Sequence, residues 1–161
     1  MHTRAIRATD ISRILELNEI SVHYLSPLDS VKLSGLLAQA IYHKVYLDDD
    51  VIAAFMIAFD QTADYKSPNY AWFRERYGSF VYIDRIVVAE EYRRQGIADL
   101  MYDEVTSFAV KNGYQFVTCE VDSIPPNPGS LRFHEKHQFR EVGKQWLYNG
   151  QKQVSLLAKK I

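Results

Sequence analysis

Residues 93–98 read Arg-Arg-Gln-Gly-Ile-Ala and join two segments of different period. Before them, Phe80 to Val88 is a largely apolar run with the pattern of a strand. After them, from Gln95 to about Asn112, Leu100, Met101, Val105 and Phe108 recur at helical spacing, and Asn112-Gly113 ends the helix. Phe116 to Val121 reads as another strand. A strand–helix–strand unit of this kind predicts parallel pairing with a right-handed crossover. Its first junction gathers unpaired backbone N–H groups around a small volume, which suits a phosphate or pyrophosphate. Gly96 permits close backbone approach, and Arg93 and Arg94 offset phosphate charge. Gln95, Ile97 and Ala98 complete the turn, the last two as backbone donors whose side chains pack inward. A solvated basic turn ahead of an ordinary helix is the competing reading.

The remaining elements follow from pattern. Thr3 to Arg7 predicts a short first strand. Thr9 or Asp10 caps a helix whose buried stripe is Ile11, Ile14, Leu15, Leu17 and Asn18, with a polar back. Asp29 to about His43 predicts a second helix buried through Leu33, Leu36, Leu37, Ala40 and Ile41. Val45 to Leu47 and Val51 to Phe59 form a hairpin around Asp48-Asp49-Asp50. Gln61 to Ser79 lacks a clear period apart from a short helix near Tyr70 to Tyr77. Pro125 to Gly129 makes a stiff loop, and a short helix from Ser130 to about His137 follows. The tail is a hairpin, Arg140 to Leu147 and Gln153 to Lys159, turned at Asn149-Gly150.

Composition narrows the function classes. The 161 residues fit one domain spanning 1–161. A formal net charge of -1 gives no global field for nucleic acid or an anionic membrane, so neither partner is expected. Cys119 is the single cysteine, which excludes an intrachain disulfide and favours a reducing compartment. Its strand-like setting reads as a small buried hydrophobe. The five histidines are scattered, and His134 with His137 lacks the spacing of a helical zinc motif, so no metal is expected. The first residues, Met-His-Thr-Arg-Ala-Ile-Arg, precede no long apolar stretch, so no secretory signal and no membrane span are expected. The default expectation is a cytoplasmic protein.

With these elements in order, the chain resembles the GCN5-related N-acetyltransferase (GNAT) superfamily. The resemblance covers essentially the whole domain and is densest from Ile83 to Phe139. The family's cofactor turn is Gln or Arg, two residues, Gly, one residue, then Gly or Ala, and Arg93, Gly96 and Ala98 match it. A second pattern has an Asn, a small residue three later, a Tyr seven later, and a closing Gly-Phe. Asn127 and Ser130 match its start. His134 stands in place of the Tyr, and His137-Gln138-Phe139 in place of the closing element.

The resemblance implies a mixed α/β fold of the α+β kind. Its twisted sheet is mostly antiparallel, flanked by helices, with a central splayed parallel pair of strands. It implies acetyl-CoA as cofactor, with pantetheine between the splayed strands. The thioester carbonyl would be held by backbone N–H groups of Ile86, Val87 and Val88. Asn127 and Ser130 would lie along the pantetheine arm, unless Asn127 serves to fix its own loop. The family tyrosine donates a proton or hydrogen bond to the departing thiolate. His134 would do so as imidazolium, with a reference pKa near 6.5. Tyr148 is a second source of that proton, and a capping or solvent-facing histidine is the plainer reading of His134.

Asp84 and Glu120 are the candidate general bases, each a carboxylate in a strand-like run. Period two places Asp84 on the face of Tyr82, Ile86 and Val88. Either carboxylate can instead be an edge group paired with Arg85 or a lysine. Tyr65, Tyr70, Trp72, Phe73 and Tyr77 either line an acceptor pocket or pack a long loop, and Arg74 and Glu75 are candidate substrate anchors. The leading function is transfer of an acetyl group to a primary amine, on a small molecule or a peptide, by direct attack. The alternatives are a CoA-binding sensor or interaction module with weak turnover, and an acyltransferase using another acceptor or acyl group. The terminal hairpin offers an edge for a homodimer.

Overall fold

A computed structural model describes residues 1–22 and 25–161. The elements in chain order are β1 (His2–Ala5), α1 (Ile11–Ile20), α2 (Ser30–Gln39), β2 (Tyr42–Asp48), β3 (Val51–Asp60), α3 (Pro68–Arg76), β4 (Phe80–Val88), α4 (Ile97–Lys111), β5 (Phe116–Ile124), α5 (Pro128–Lys136), β6 (Arg140–Leu147) and β7 (Lys152–Lys160). The strands are hydrogen-bonded in the order β1-β2-β3-β4-β5-β7-β6. Pairing is antiparallel in β1–β2, β2–β3, β5–β7 and β6–β7 and parallel in β4–β5. The fold is therefore mixed α/β, with a mostly antiparallel sheet and flanking helices. Contacts divide the chain into two compact units, Met1–Phe59 with Ile83–Val105 and Asp60–Tyr82 with Thr106–Ile161.

In the first unit, β3 forms the core, and Ile52 through Phe59 are all buried. A strand buried on both faces loses the polar alternation of a surface strand. Ala53 and Ala54 are fully enclosed there, and the Ala53 carbonyl accepts the Ala89 amide at 2.8 Å just beyond β4. Glu104 of α4 receives the Lys44 ammonium at 2.9 Å and the Tyr46 hydroxyl at 3.0 Å, which ties the helix to β2.

Several expected boundaries move, each for a physical reason. The first strand ends at Ala5 rather than Arg7, because the Asp10 carboxylate accepts the Arg7 amide at 2.7 Å and draws the chain into a 3-10 turn over Ala8–Asp10. The second helix ends at Gln39, not His43. Ala40 is already extended, the Ile41 amide donates to Ala58 at 3.1 Å, and Tyr42 begins β2 opposite Ala58. Of its five expected core residues, Leu33 alone is buried. Strand β2 therefore starts at Tyr42, three residues before Val45. Tertiary pairing has overridden local helical pattern.

In the second unit, β5 runs on to Ile124, past the expected end at Val121, because β7 continues the ladder through Asp122↔Val154 and Ile124↔Gln153. Helix α3 starts two residues early, with Pro68 in its first turn and Ser67 accepting the Tyr70 amide. Helix α5 likewise starts at Pro128, behind Asn127. The terminal turn is wider than Asn149-Gly150: Tyr148, Asn149 and Gly150 all have positive φ, and Gln151 donates back to Tyr148.

Tyr70, Phe73, Phe80 and Tyr82 are fully enclosed, and their rings meet at 5.5–6.3 Å. Fully burying an aromatic side chain is worth roughly 1.5–3 kcal/mol, so this cluster anchors α3 to the strands.

Candidate active site

The 93–98 turn lies in the first unit. Arg94 (φ 59°) and Gly96 (φ 79°) are left-handed and bracket Gln95. Helix α4 begins one residue after Gly96, at Ile97 rather than at Gln95, and runs 15 residues. The Gly96 carbonyl accepts the first helical bond, from Leu100 at 3.1 Å. The first amides of an α-helix have no intrahelical carbonyl to donate to, and here they begin at Ile97 and Ala98. A β-carbon on Gly96 would meet nothing within 4 Å. Packing therefore does not demand glycine there, whereas the backbone conformation does. Arg93, Arg94 and Gln95 are exposed, and Ile97 is buried beneath them. Arg93 Nε donates to the Val88 carbonyl at 3.3 Å and Gln95 Nε2 to the Glu91 carbonyl at 2.9 Å, which stiffens the turn from both sides. Donor amides at the end of a long helix, two exposed guanidiniums and open space over a glycine fit the pyrophosphate of coenzyme A.

Asp84 also lies in the first unit. Its side chain is 6% exposed, and Arg85 Nε donates to Asp84 Oδ2 at 3.0 Å. The Arg85 guanidinium, itself 4% exposed, donates onward to Asn18 Oδ1 and the Ser26 carbonyl, both at 2.8 Å, and to Ser26 Oγ at 2.6 Å. Asp84 is thus paired with Arg85, but as an enclosed side chain on an interior strand rather than an edge group, and the cluster ties β4 to the chain after α1. Ile86 and Val88 are half-buried and Val87 is buried on the same strand.

Glu120 lies in the second unit and is half-buried. Tyr82 Oη donates to both of its carboxylate oxygens, at 3.0 Å and 2.8 Å. The sheet face can be read from register. Glu120 pairs with Leu156 and Cys119 with Leu157, and Gly143 of β6 pairs with Leu156. A β-carbon on Gly143 would lie 2.6 Å from Trp72 Cζ2, so α3 covers the Glu120 face. Leu157 instead shares a cavity of about 560 Å³ with Leu131, His134, Phe139 and Glu141. Helix α5 therefore covers the opposite face, and Glu120 and His134 sit on the two sides of one sheet.

His134 is 6% exposed, with Phe133 and Phe139 edge-on at 5.5 Å and 5.4 Å. Burial, aided by the charge of His137, lowers its pKa from the ordinary histidine value, against the opposing pull of its hydrogen bond to the Ser130 carbonyl. That bond, at 2.7 Å, puts the proton of the neutral ring on Nδ1. Nε2 then carries the lone pair. The expectation of a solvent-facing histidine is thus corrected, and protonation at Nε2 has to work against burial. Tyr148 is on the hairpin turn, 67% exposed. Asn127 caps α5, its Oδ1 accepting the Ser130 amide at 3.3 Å.

Tyr70 and Phe73 are enclosed, so of the expected acceptor-lining aromatics these two are packing residues. The Tyr70 hydroxyl donates to the Asp60 and Ala63 carbonyls. Tyr65, Trp72 and Tyr77 are half-buried, and Arg74 is exposed. Among the described residues, no group of three or more His, Cys, Asp or Glu is placed to hold a metal ion. Tyr82 and Asn18 carry site contacts that the sequence reading did not assign. Tyr82 shares a strand face with Asp84, but its bond to Glu120 depends on the β4–β5 pairing and is not written in either strand alone.

Comparison with known proteins bears on this geometry. A model of the acetyltransferase (GNAT) family matches residues 15–139. Among solved structures, the chain is similar to NAA60 of Arabidopsis thaliana in complex with a bisubstrate analogue, at 20% identity and TM-score 0.79, covering 99% of this chain and 97% of that one. It is similar to Ard1 of Thermoplasma volcanium at 16% identity and TM-score 0.80, covering 99% and 97%. It is also similar to the ribosomal-protein-S18-alanine N-acetyltransferase of Escherichia coli at 14% identity and TM-score 0.75, covering 99% and 93%.

Proposed function

The chain belongs to the acetyltransferase (GNAT) family, and from that premise we propose that it moves an acetyl group from acetyl-CoA to a primary amine by direct attack. Acyl transfer dependent on acetyl-CoA is the general chemistry of the family. When bound, acetyl-CoA supplies an activated acyl carbonyl and a thiolate leaving group. The observation that carries the reading is the 93–98 turn, with its two left-handed residues, exposed arginines and helix start.

The chain's own groups divide the remaining work. Arg93, Arg94 and the amides of 94–98 bind phosphate. The backbone of Ile86, Val87 and Val88 orients the acyl carbonyl and donates to the charge that develops on its oxygen. Glu120 takes the proton of the attacking amine. Asp84 is held by the buried Arg85 guanidinium, whereas Glu120 accepts from the neutral Tyr82 hydroxyl, which favours Glu120 as the base. His134, on the other face of β5, donates a proton or hydrogen bond to the departing sulfur. The acceptor is an amine on a small molecule or a peptide. The solved relatives include an enzyme named for a protein alanine, which makes peptide N-termini a sensible first arm of a screen.

The test is release of free coenzyme A from acetyl-CoA across a panel of peptides, amino acids, polyamines and aminoglycosides. Amine-dependent release with an acetylated product supports the reading. Coenzyme A binding with no release across the panel reduces the protein to a binding module.

A further inference from the structure

We propose that Tyr82 is a positioning residue for the transfer: its phenol hydrogen holds the Glu120 carboxylate ionised and in one orientation on the α3 face of β5, ready for the acceptor's proton. The proposal rests on the reading of Glu120 as general base.

Tyr82 is fully enclosed. Its ring is packed by Tyr70 at 5.5 Å, Phe73 at 6.0 Å and Tyr65 at 6.5 Å. Rings on these sides leave little torsional freedom, so the hydroxyl is aimed by packing. A phenylalanine would fill the same space with no polar group to satisfy, so packing alone does not call for the hydroxyl. Its one hydrogen is shared between the two Glu120 oxygens, at 3.0 Å and 2.8 Å. A hydrogen bond to a carboxylate favours the charged form, and a bond shared by both oxygens also fixes the plane of the group.

Leu156 of β7 is opposite Glu120. On β5 itself, Thr118 donates to the Val81 carbonyl, and Asp122 is paired with Lys152 at 3.0 Å. From α3, the Tyr70 hydroxyl is committed to backbone carbonyls. Arg74, Glu75 and Arg76 are exposed, with Arg76 stacked on Trp72 at 4.2 Å. Tyr65 meets Tyr82 through its ring. In the transfer, the C–N bond forms and the thioester C–S bond breaks with release of the thiolate, while the acceptor nitrogen gives its proton to Glu120, which becomes a neutral acid and later returns the proton to solvent.

The experiment compares wild type, Tyr82→Phe, Glu120→Gln and the double variant. Its readouts are kcat/KM against pH, the carbon-13 titration of the Glu120 carboxyl in the free protein, and coenzyme A affinity. Tyr82→Phe is expected to lower neutral-pH kcat/KM roughly 10-fold. It should move both the acid limb and the Glu120 midpoint up by about one pH unit, with coenzyme A affinity unchanged. In the Glu120→Gln background it should have no further effect. A crippled Glu120→Gln beside a Tyr82→Phe with unmoved limb and midpoint overturns the role of Tyr82 alone. A Glu120→Gln with wild-type kcat/KM overturns the base reading and the catalytic role of Tyr82 with it.

Discussion

His134 shows how one side chain's surroundings set its chemistry. The sequence offers an imidazole with an ordinary pKa, whereas the fold encloses it between two phenylalanines and commits Nδ1–H to the Ser130 carbonyl. With its pKa below the ordinary 6.5, the ring is neutral at neutral pH. If Nε2 passes the proton to sulfur, the alkaline limb of kcat lies below the ordinary histidine range. His134→Ala should lower kcat roughly 10- to 100-fold and abolish that limb, with coenzyme A affinity as the control. Wild-type kcat in the alanine variant would return His134 to a packing role. Stability follows the same sign. A histidine whose folded pKa is depressed contributes stability that is present above the unfolded value of 6.5 and is lost as pH falls through the lower folded value. His43, also lowered by burial, accepts the Ile6 amide through Nδ1 at 3.2 Å and acts in the same direction. Thermal denaturation midpoints should therefore fall as pH drops below 6.5, and less steeply in His134→Gln.

At the scale of elements, two glycines do different work. Gly96 is required by its left-handed backbone, and Gly96→Val would also project a branched side chain over the phosphate turn. Coenzyme A affinity by titration calorimetry on folded protein should fall at least about tenfold, or roughly 1.4 kcal/mol. Unchanged affinity would remove the turn from the cofactor site. Gly143 is constrained by contact, since a β-carbon would lie 2.6 Å from the Trp72 ring, which would have to shift. Gly143→Ala should cost roughly 1–3 kcal/mol in urea denaturation, an overpacking penalty that Trp72→Leu relieves. The first glycine was legible in sequence, because a local turn motif carries its own spacing. The second was not, because the partner of β6 is a helix far away in the chain. The same division runs through the elements. Strand β4 and the start of β6 were readable from local pattern, whereas the end of α2 was decided by β3 capturing Ile41 and Tyr42. The bond from Tyr82 to Glu120 is not legible for the same reason, since it depends on pairing between strands.

For the whole molecule, formal charge is nearly balanced, so charge acts locally, at Arg93 and Arg94 and in the Arg85 cluster. The family is legible because its motifs are short and ordered along the chain. The acceptor is not, because it is read by side chains that long-range pairing assembles. The central claim is that acetyl-CoA and a primary amine are joined through a phosphate-binding turn and a carboxylate base. The most direct measurement incubates the protein with acetyl-CoA and an amine it accepts, following free thiol and acetylated product together. The account predicts stoichiometric thiol and N-acetyl product from wild type. Loss in Gly96→Val should be recovered in part by raised acetyl-CoA, and loss in Glu120→Gln should not. Amine-independent thiol release, or equal product from all three proteins, would contradict it.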